Sequence, residues 1–173
     1  MTLQGIAMNK TLQTDLERIA EQERYLVLEQ GLDDLAWRLG SRLYEQALAR
    51  GLALVLEVRL LGQTVFFLAM PGTAPSNTDW ARRKRNTTEL LNRSSYGIGL
   101  ELEQKGQTLE QTMGLPLRDY ATHGGSFPLK LKGLGTIGSI TVSGAPQRED
   151  HALVVAVLAE CCGLDPQSVA LQG

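Results

Sequence analysis

Residues 123–151, HGGSFPLKLKGLGTIGSITVSGAPQREDH, decide the fold of this chain. The stretch contains both histidines of the sequence and six of its 18 glycines. Its segments 127–131 and 136–143 are rich in apolar and β-branched residues and read as two strands joined by a glycine turn. Glu149 and Asp150 then favour the first turn of a helix, since carboxylates stabilise a helix amino terminus.

The residues before this stretch predict a further hairpin and the helix that precedes it. Leucine and alanine recur every four residues after Asp34, a spacing typical of an amphipathic helix, and Gly51 is suited to end it. Apolar residues alternate along 52–60, which predicts a strand with two different faces. A turn at 61–63 leads to a second predicted strand at 64–70.

Two other helices are predicted, at 11–23 and at 80–92, the second capped by one of the polar residues 78–79. Gly97 and Gly99 interrupt the apolar pattern that follows. A glycine inside a helix costs about 1 kcal/mol relative to alanine. A kink or break is therefore expected at these glycines.

The predicted order is helix, helix, two strands, helices, two strands, helix. Strand pairs joined by tight turns and separated by helices predict an α+β fold with an antiparallel sheet. The chain has 173 residues, a length that favours a single domain, 1–173. We expect its core at about 25–163, with the helix 11–23 appended.

Composition excludes several classes of function. The net charge is −2 and only 5% of residues are aromatic, so we expect no nucleic-acid partner. No apolar run approaches the roughly 20 residues that cross a bilayer, and the first residues do not have the form of a signal peptide. A cytoplasmic protein without a membrane partner is expected. The adjacent Cys161 and Cys162 lie in an apolar run and read as buried hydrophobic residues.

The loop His123-Gly124-Gly125-Ser126 is the first candidate for ligand binding. Glycine-rich turns can present backbone N–H groups to an anion, with the histidine facing the ligand or a metal. The alternative is a plain turn with an exposed or hydrogen-bonded histidine. The residues alone leave both interpretations open.

The second candidate is His151, which follows Glu149 and Asp150. The two carboxylates could raise its pKa and suit it to proton transfer, or the segment could be a capping turn with a surface histidine. Two histidines and two carboxylates could also ligate a metal, but their spacing matches no zinc motif, so no metal site is assigned. No catalytic residue is assigned either.

The third candidate is the run of four cations at 82–85. Successive helical residues point about 100° apart, so the run does not form one patch. Arg82, Arg83 and Arg85 are candidates to reach a carboxylate or phosphate of a small anionic ligand. The alternative is a solvated face with salt bridges between subunits.

Four motifs carry a family resemblance: DWxRRKRN at 79–86, HGGSFP at 123–128, IGxITVSG at 137–144 and PQxxDH at 146–151. Together they resemble an uncharacterised protein family of the haem-degrading-domain group. The relatives in that group are GlcG-like, HbpS-like and PduO C-terminal-like proteins. The resemblance spans residues 25–163.

The resemblance implies a profilin-like fold, in which helices flank a central antiparallel sheet, and homo-oligomers built on dimers. It implies a small-ligand-binding protein, with haem as the cofactor that the family suggests. His123 or His151 would then coordinate iron, and an arginine of 82–85 would pair with a propionate. A eukaryotic member of the family is associated with protein-targeting machinery, which implies the alternative: a non-enzymatic oligomeric scaffold or adaptor.

Overall fold

A computed structural model describes residues 3–29, 31 and 33–172. Its helices are α1 (Leu3–Tyr25), α2 (Leu35–Ala49), α3 (Pro75–Leu91), α4 (Ser95–Lys105), α5 (Leu109–Met113), α6 (Gln147–Cys161) and α7 (Pro166–Val169). Its strands are β1 (Val27–Leu28), β2 (Val55–Leu60), β3 (Gln63–Ala69), β4 (Ser126–Leu131) and β5 (Gly135–Ser143). Among these described residues, the helices are all too short or too polar to span a membrane.

The five strands form one sheet in the order β1-β4-β5-β2-β3. Both predicted hairpins are present, β2 with β3 and β4 with β5, and β5 also pairs antiparallel with β2. The short strand β1 adds a parallel edge beside β4. The predicted α+β class with a central, helix-flanked sheet is confirmed, and its one parallel pair lies at the edge.

One face of the sheet carries the apolar core. Leu54, Leu56 and Val58 alternate along the chain as predicted, and they pack with Phe127 and Ile140 of the neighbouring strands. Helices α2 and α6 cover this face with leucine and valine side chains. Burial of this apolar area is the main stabilising contribution to the fold.

The opposite face of the sheet is polar and is covered by α3. Glu57 of β2 is buried and accepts two hydrogen bonds from Arg85 Nη1, at 2.9 and 3.1 Å. Ser139 of β5 donates to Glu89 of α3 at 2.8 Å. Buried polar groups need such partners, since an unpaired one costs about 1–3 kcal/mol. Helix α3 is therefore held by polar pairs.

Helix α3 begins earlier than the sequence predicted. Its first residue is Pro75. Proline suits a helix start because its fixed φ is helical and because a backbone N–H at this position would have no acceptor within the helix. The Asn77 side chain accepts from the Ala74 N–H at 2.8 Å. This contact closes the first turn, so the cap predicted at 78–79 is wrong.

The break predicted at Gly97 and Gly99 is also wrong, because α4 runs through both glycines. The chain breaks earlier, at Asn92 in a left-handed conformation (φ 53°), and Ser94 caps the new helix by accepting from Gly97 N. A Cβ on Gly99 would lie 2.3 Å from the Thr122 carbonyl oxygen. These glycines thus permit close packing of α4.

Candidate functional site

A cavity of about 220 Å³ opens where β5 ends and α6 begins, beside the first half of α3. The lining residues are Asn77, Trp80 and Lys84 of α3, His123 of the loop before β4, Ser143, Gly144 and Ala145 after β5, and Gln147 and Asp150 of α6. Three segments distant in sequence therefore meet at this end of the sheet.

Lys84 is the cation of the cavity. Its spacing of seven from Asn77 and four from Trp80 places all three side chains on one face of α3. The residue is 4% exposed, and its Nζ donates to Asp150 Oδ2 at 2.8 Å and to the Val142 carbonyl at 3.3 Å. An ammonium group has three protons to donate, and the described residues provide these two acceptors.

Asp150 is the anion of the cavity and is 1% exposed. Besides Lys84 it accepts from the backbone N–H groups of Ala145, at 3.1 Å, and Gly144, at 3.4 Å. Desolvation raises the pKa of Asp150 and lowers the pKa of Lys84, and each charge opposes the shift of the other. These shifts bring the pKa values of the two groups closer together.

Gly125 and Gly124 allow the loop before β4 to pack against this ion pair. A Cβ on Gly125 would lie 2.9 Å from Asp150 Cβ and 3.0 Å from Lys84 Nζ, and its φ of +125° is one that glycine tolerates. A Cβ on Gly124 would lie 2.1 Å from the Gln147 carbonyl oxygen. The two glycines thus serve close approach of the backbone at the cavity.

His123 lies at the mouth of the cavity and is exposed to solvent. Its ring stands edge-on to Trp80, with centroids 4.7 Å apart and planes at 68°. Partial burial and the charges of Lys84 and Arg83 lower the pKa of His123 below its usual 6.5. The imidazole is therefore mainly neutral at pH 7, with one ring nitrogen as a donor and the other as an acceptor.

The polar groups that remain for a ligand are mainly donors. The side-chain oxygen Oδ1 of Asn77 accepts a hydrogen bond from the Ala74 N–H. The side-chain oxygen Oε1 of Gln147 accepts one from the Gly124 N–H at 3.4 Å. Both side-chain NH₂ groups are then left as donors. The oxygens of Asp150 already accept three hydrogen bonds. A cavity with this balance suits a ligand rich in oxygen acceptors.

The structure does not bring His151 to the cavity. The residue is 1% exposed, and its Nε2 lies 2.8 Å from Gln22 Oε1. Because Gln22 Nε2 donates to the Val169 carbonyl at 2.8 Å, Gln22 Oε1 is the acceptor and His151 carries its proton on Nε2. Burial lowers the pKa of His151 to about 3, with Arg148 adding to the shift. This histidine is neutral and ties α6 to α1.

Two other predicted residues also lie outside the cavity lining. Glu149 is exposed on the first turn of α6. Ser126 is fully buried, and its Oγ lies 2.8 Å from Thr141 Oγ1 on the neighbouring strand. Of the loop residues predicted to bind a ligand, His123 lines the cavity directly and the glycines support it from behind.

The predicted arginines are engaged with other protein groups. Arg82 pairs with Asp79 at 2.9 Å and with Asp119 at 3.0 Å. Arg85 pairs with buried Glu57 beneath α3. Both side chains therefore hold α3 to its surroundings.

Arg83 also makes protein contacts. Its guanidinium carbon lies 4.3 Å from the centre of the Trp80 ring, and its Nη2 donates to the Leu117 carbonyl. The cation that lines the cavity is Lys84, the member of the run that the sequence interpretation left out. Trp80 and Gln147, which occur within the quoted motifs, were missed as well. The helical spacing of Asn77, Trp80 and Lys84 was the available signal.

Of the two histidines that the resemblance implies as alternative haem ligands, the structure places one at the cavity. His123 can reach a ligand, but His151 is enclosed and bonded to Gln22. The cavity volume of about 220 Å³ also lies below the roughly 300–1,000 Å³ typical of drug-sized ligands.

The fold and the cavity define a small α+β protein with a polar pocket at one end of its sheet, and solved structures share this fold. The Ybr137w protein aligns with a TM-score of 0.78 and 24% identity, covering 86% of this chain and 87% of that one. The PduOC:Heme complex aligns with a TM-score of 0.64 and 20% identity, covering 76% and 94%. HbpS aligns with a TM-score of 0.59 and 23% identity, covering 76% and 89%.

Residues 33–159 match the family described as "Haem degrading protein HbpS-like", and the chain belongs to this family. It is 53% identical to the UPF0303 protein of Paraburkholderia phymatum, over 91% of this chain and 95% of that one. It is 49% identical to the UPF0303 protein of Acidobacterium capsulatum, over 90% and 94%. The resemblance inferred from the four motifs is confirmed.

Proposed function

We propose that this protein binds a small carboxylate-bearing ligand in the cavity between α3, the His123 loop and the start of α6. The observation that carries the proposal is the Lys84–Asp150 ion pair in the cavity wall. Burying two charges is costly and stabilises a fold weakly at best. Such a pair that faces a cavity is a candidate functional site.

The chemistry of the wall supports an oxyanion. Lys84 offers its third ammonium proton, and Asn77 and Gln147 offer amide protons. The amino terminus of the 15-residue helix α6 adds a positive potential. Trp80 contributes apolar surface to the lining for the remainder of a small ligand.

Trp80 also makes the proposal testable by fluorescence. The chain has two tryptophans, and a Trp37→Phe background leaves Trp80 as the single reporter. We expect glycolate or oxalate to change its emission in a saturable way, and the Lys84→Met/Asp150→Asn double variant, which lacks both buried charges, to abolish the change. Lys132→Met, which removes an exposed lysine paired with Glu29, is the matched control. No saturable change with either anion up to millimolar concentration would contradict the proposal.

Haem is the rival ligand, since the family description and one structural relative name it. Titration with haemin, followed by the Soret band, separates the two ligands. The proposal predicts that any haemin binding leaves the glycolate response unchanged. A Soret shift that disappears in His123→Ala, together with displacement of glycolate, would favour haem.

The second proposal is that the chain forms a homo-oligomer built on dimers, with a second copy against strand β3. This strand lies at the sheet edge, and Val65 and Phe67 are 47% and 49% exposed on it. Exposed apolar side chains beside unpaired strand edges favour association. If the protein is a scaffold without small-molecule chemistry, this β3 surface is the feature that supports that role.

Light scattering tests the second proposal. Phe67→Lys is expected to lower the molar mass to that of a smaller assembly, because it places a charge in the contact. Met113→Lys, at a similarly exposed position (55%) on α5, is expected to leave the mass unchanged. A monomeric parent protein would overturn the proposal.

We also propose the cytoplasmic location that was expected from the sequence, and cell fractionation tests it.

A further inference from the structure

We propose that Lys84 captures a carbonyl compound covalently, as an imine between its Nζ and an aldehyde or keto carbon of the ligand. This inference rests on the proposed function and specifies the ligand class further: a small carboxylate that also carries a carbonyl group. It assigns a chemical step to the cavity in addition to binding.

The position of Lys84 Nζ carries the inference. Lys84 lines the cavity, yet it is 4% exposed and its carboxylate partner, Asp150, is 1% exposed. Glycine at 125 leaves the space that the amine occupies, because a Cβ there would lie 3.0 Å from Nζ. An amine enclosed in this way loses part of its hydration, which favours its neutral, nucleophilic form.

Asp150 supplies the proton transfers that imine formation needs. The proton of the ion pair moves from Lys84 Nζ to Asp150 Oδ2, 2.8 Å away, leaving a free amine and a carboxylic acid. The amine lone pair forms a bond to the carbonyl carbon, and a proton shifts from nitrogen to oxygen to give a carbinolamine. Asp150 then protonates the hydroxyl group, the C–O bond breaks and water leaves. The products are a protonated imine and the Asp150 carboxylate.

The other polar groups of the cavity fit such a ligand. The amide protons of Asn77 and Gln147 remain as donors for the ligand carboxylate. His123 is neutral at the mouth, so it adds no positive charge beside the protonated imine. The Trp80 ring bounds the same space. A two- or three-carbon oxo acid combines the carboxylate and the carbonyl that this arrangement recognises.

Reductive trapping tests the inference on the full-length chain. The protein is incubated at pH 7 with glyoxylate and sodium cyanoborohydride, digested, and its lysine peptides are quantified by mass spectrometry. We expect severalfold more reduced adduct on Lys84 than on the exposed Lys105 or Lys132, because the cavity holds the ligand carbonyl beside the enclosed amine. Lys84→Arg, which keeps a cation beside Asp150, is expected to lose this adduct while Lys105 and Lys132 react as before.

The controls separate this inference from the proposed function. Glycolate has the carboxylate but no carbonyl, so it reports binding alone through Trp80 fluorescence. If glycolate binds and the glyoxylate adduct spreads over exposed lysines with none on Lys84, covalent capture is wrong and the binding proposal stands. If neither compound alters Trp80 emission and Lys84 stays unlabelled, both are wrong. The adduct on Lys84 is measured in the protein without substitutions, so the result does not depend on whether a variant folds.

Discussion

The Lys84–Asp150 pair joins α3 to the start of α6 through two buried charges. Either charge without the other would destabilise the fold, because a lone buried charge has no compensation for its lost hydration. Two backbone N–H groups further hold Asp150 in place. The pair is therefore both a structural contact and the polar wall of the cavity.

Removing only the cation is expected to destabilise the protein strongly. Lys84→Met leaves the Asp150 carboxylate buried without a compensating cation, which costs about 3–5 kcal/mol. Urea denaturation is expected to show this loss, and adding Asp150→Asn to Lys84→Met is expected to recover most of it. Lys132→Met breaks an exposed pair, worth at most about 1 kcal/mol. A Lys84→Met variant as stable as the double variant would contradict the role of the pair.

His151 predicts an acid-sensitive fold. Burial lowers its pKa from the usual 6.5 to about 3 in the folded chain, so the unfolded chain binds the proton more readily. Stability from this residue is present above pH 6.5 and is lost as the pH falls toward 3.

Urea midpoints measured from pH 7 to pH 4 test this prediction. His151→Gln, which keeps a donor for Gln22 without titrating, is expected to fall less steeply than the parent protein. His123→Gln, at the exposed histidine, is the control and is expected to retain most of the slope. Parallel curves for the parent and His151→Gln would refute the assignment.

The sequence predicted the position of a candidate site more accurately than the identity of the residues that line it. His123 and Asp150 were identified, and both line the cavity. The sequence interpretation selected three arginines of 82–85, whereas Lys84 is the member of the run that lines the cavity. The difference arises because each cation has a partner that lies far away in the sequence. Glu57 and Asp119, which engage Arg85 and Arg82, could not be placed from local spacing.

At the scale of elements, close packing of α4 gives a further prediction. Gly99→Ala should gain about 1 kcal/mol from helix propensity alone. Its Cβ, however, would lie 2.3 Å from the Thr122 carbonyl, which precedes His123. We expect a net destabilisation of about 1–3 kcal/mol, typical of overpacking, and a weaker Trp80 response to glycolate.

Thermal and urea unfolding of Gly99→Ala provide the measurement. Gln104→Ala, at an exposed position of the same helix, is expected to change stability by no more than about 0.5 kcal/mol. A stabilised Gly99→Ala variant would mean that α4 does not press on the loop.

The elements that the sequence predicted well are those set by local pattern. Alternation along 52–60 placed β2, and the glycine turns placed both hairpins. The errors occurred where a glycine serves packing rather than conformation, as at Gly97 and Gly99, or where a side chain closes a turn, as Asn77 does. Those contacts depend on neighbours that local patterns do not contain.

At the scale of the molecule, the sheet order brings distant segments together. Placing β5 between β4 and β2 leaves the β5–α6 connection under α3, so the cavity forms from residues near 80, 123 and 145. The sequence indicated antiparallel pairs but not this order, since pairing between hairpins depends on burial of whole faces. The α3 residues that line this cavity, Lys84 among them, belong to the helix that covers the polar face of the sheet.

Chemical-shift mapping with glycolate tests the central claim, a carboxylate site beside Lys84, most directly. In ¹H–¹⁵N spectra of the full chain, we expect saturable shifts concentrated on the amides of Gly124, Gly144 and Ala145, and their loss in the Lys84→Met/Asp150→Asn double variant, which has no cation at this position. Shifts that are absent, or that cluster instead around the groove lined by Leu109 and Met113, would contradict the account.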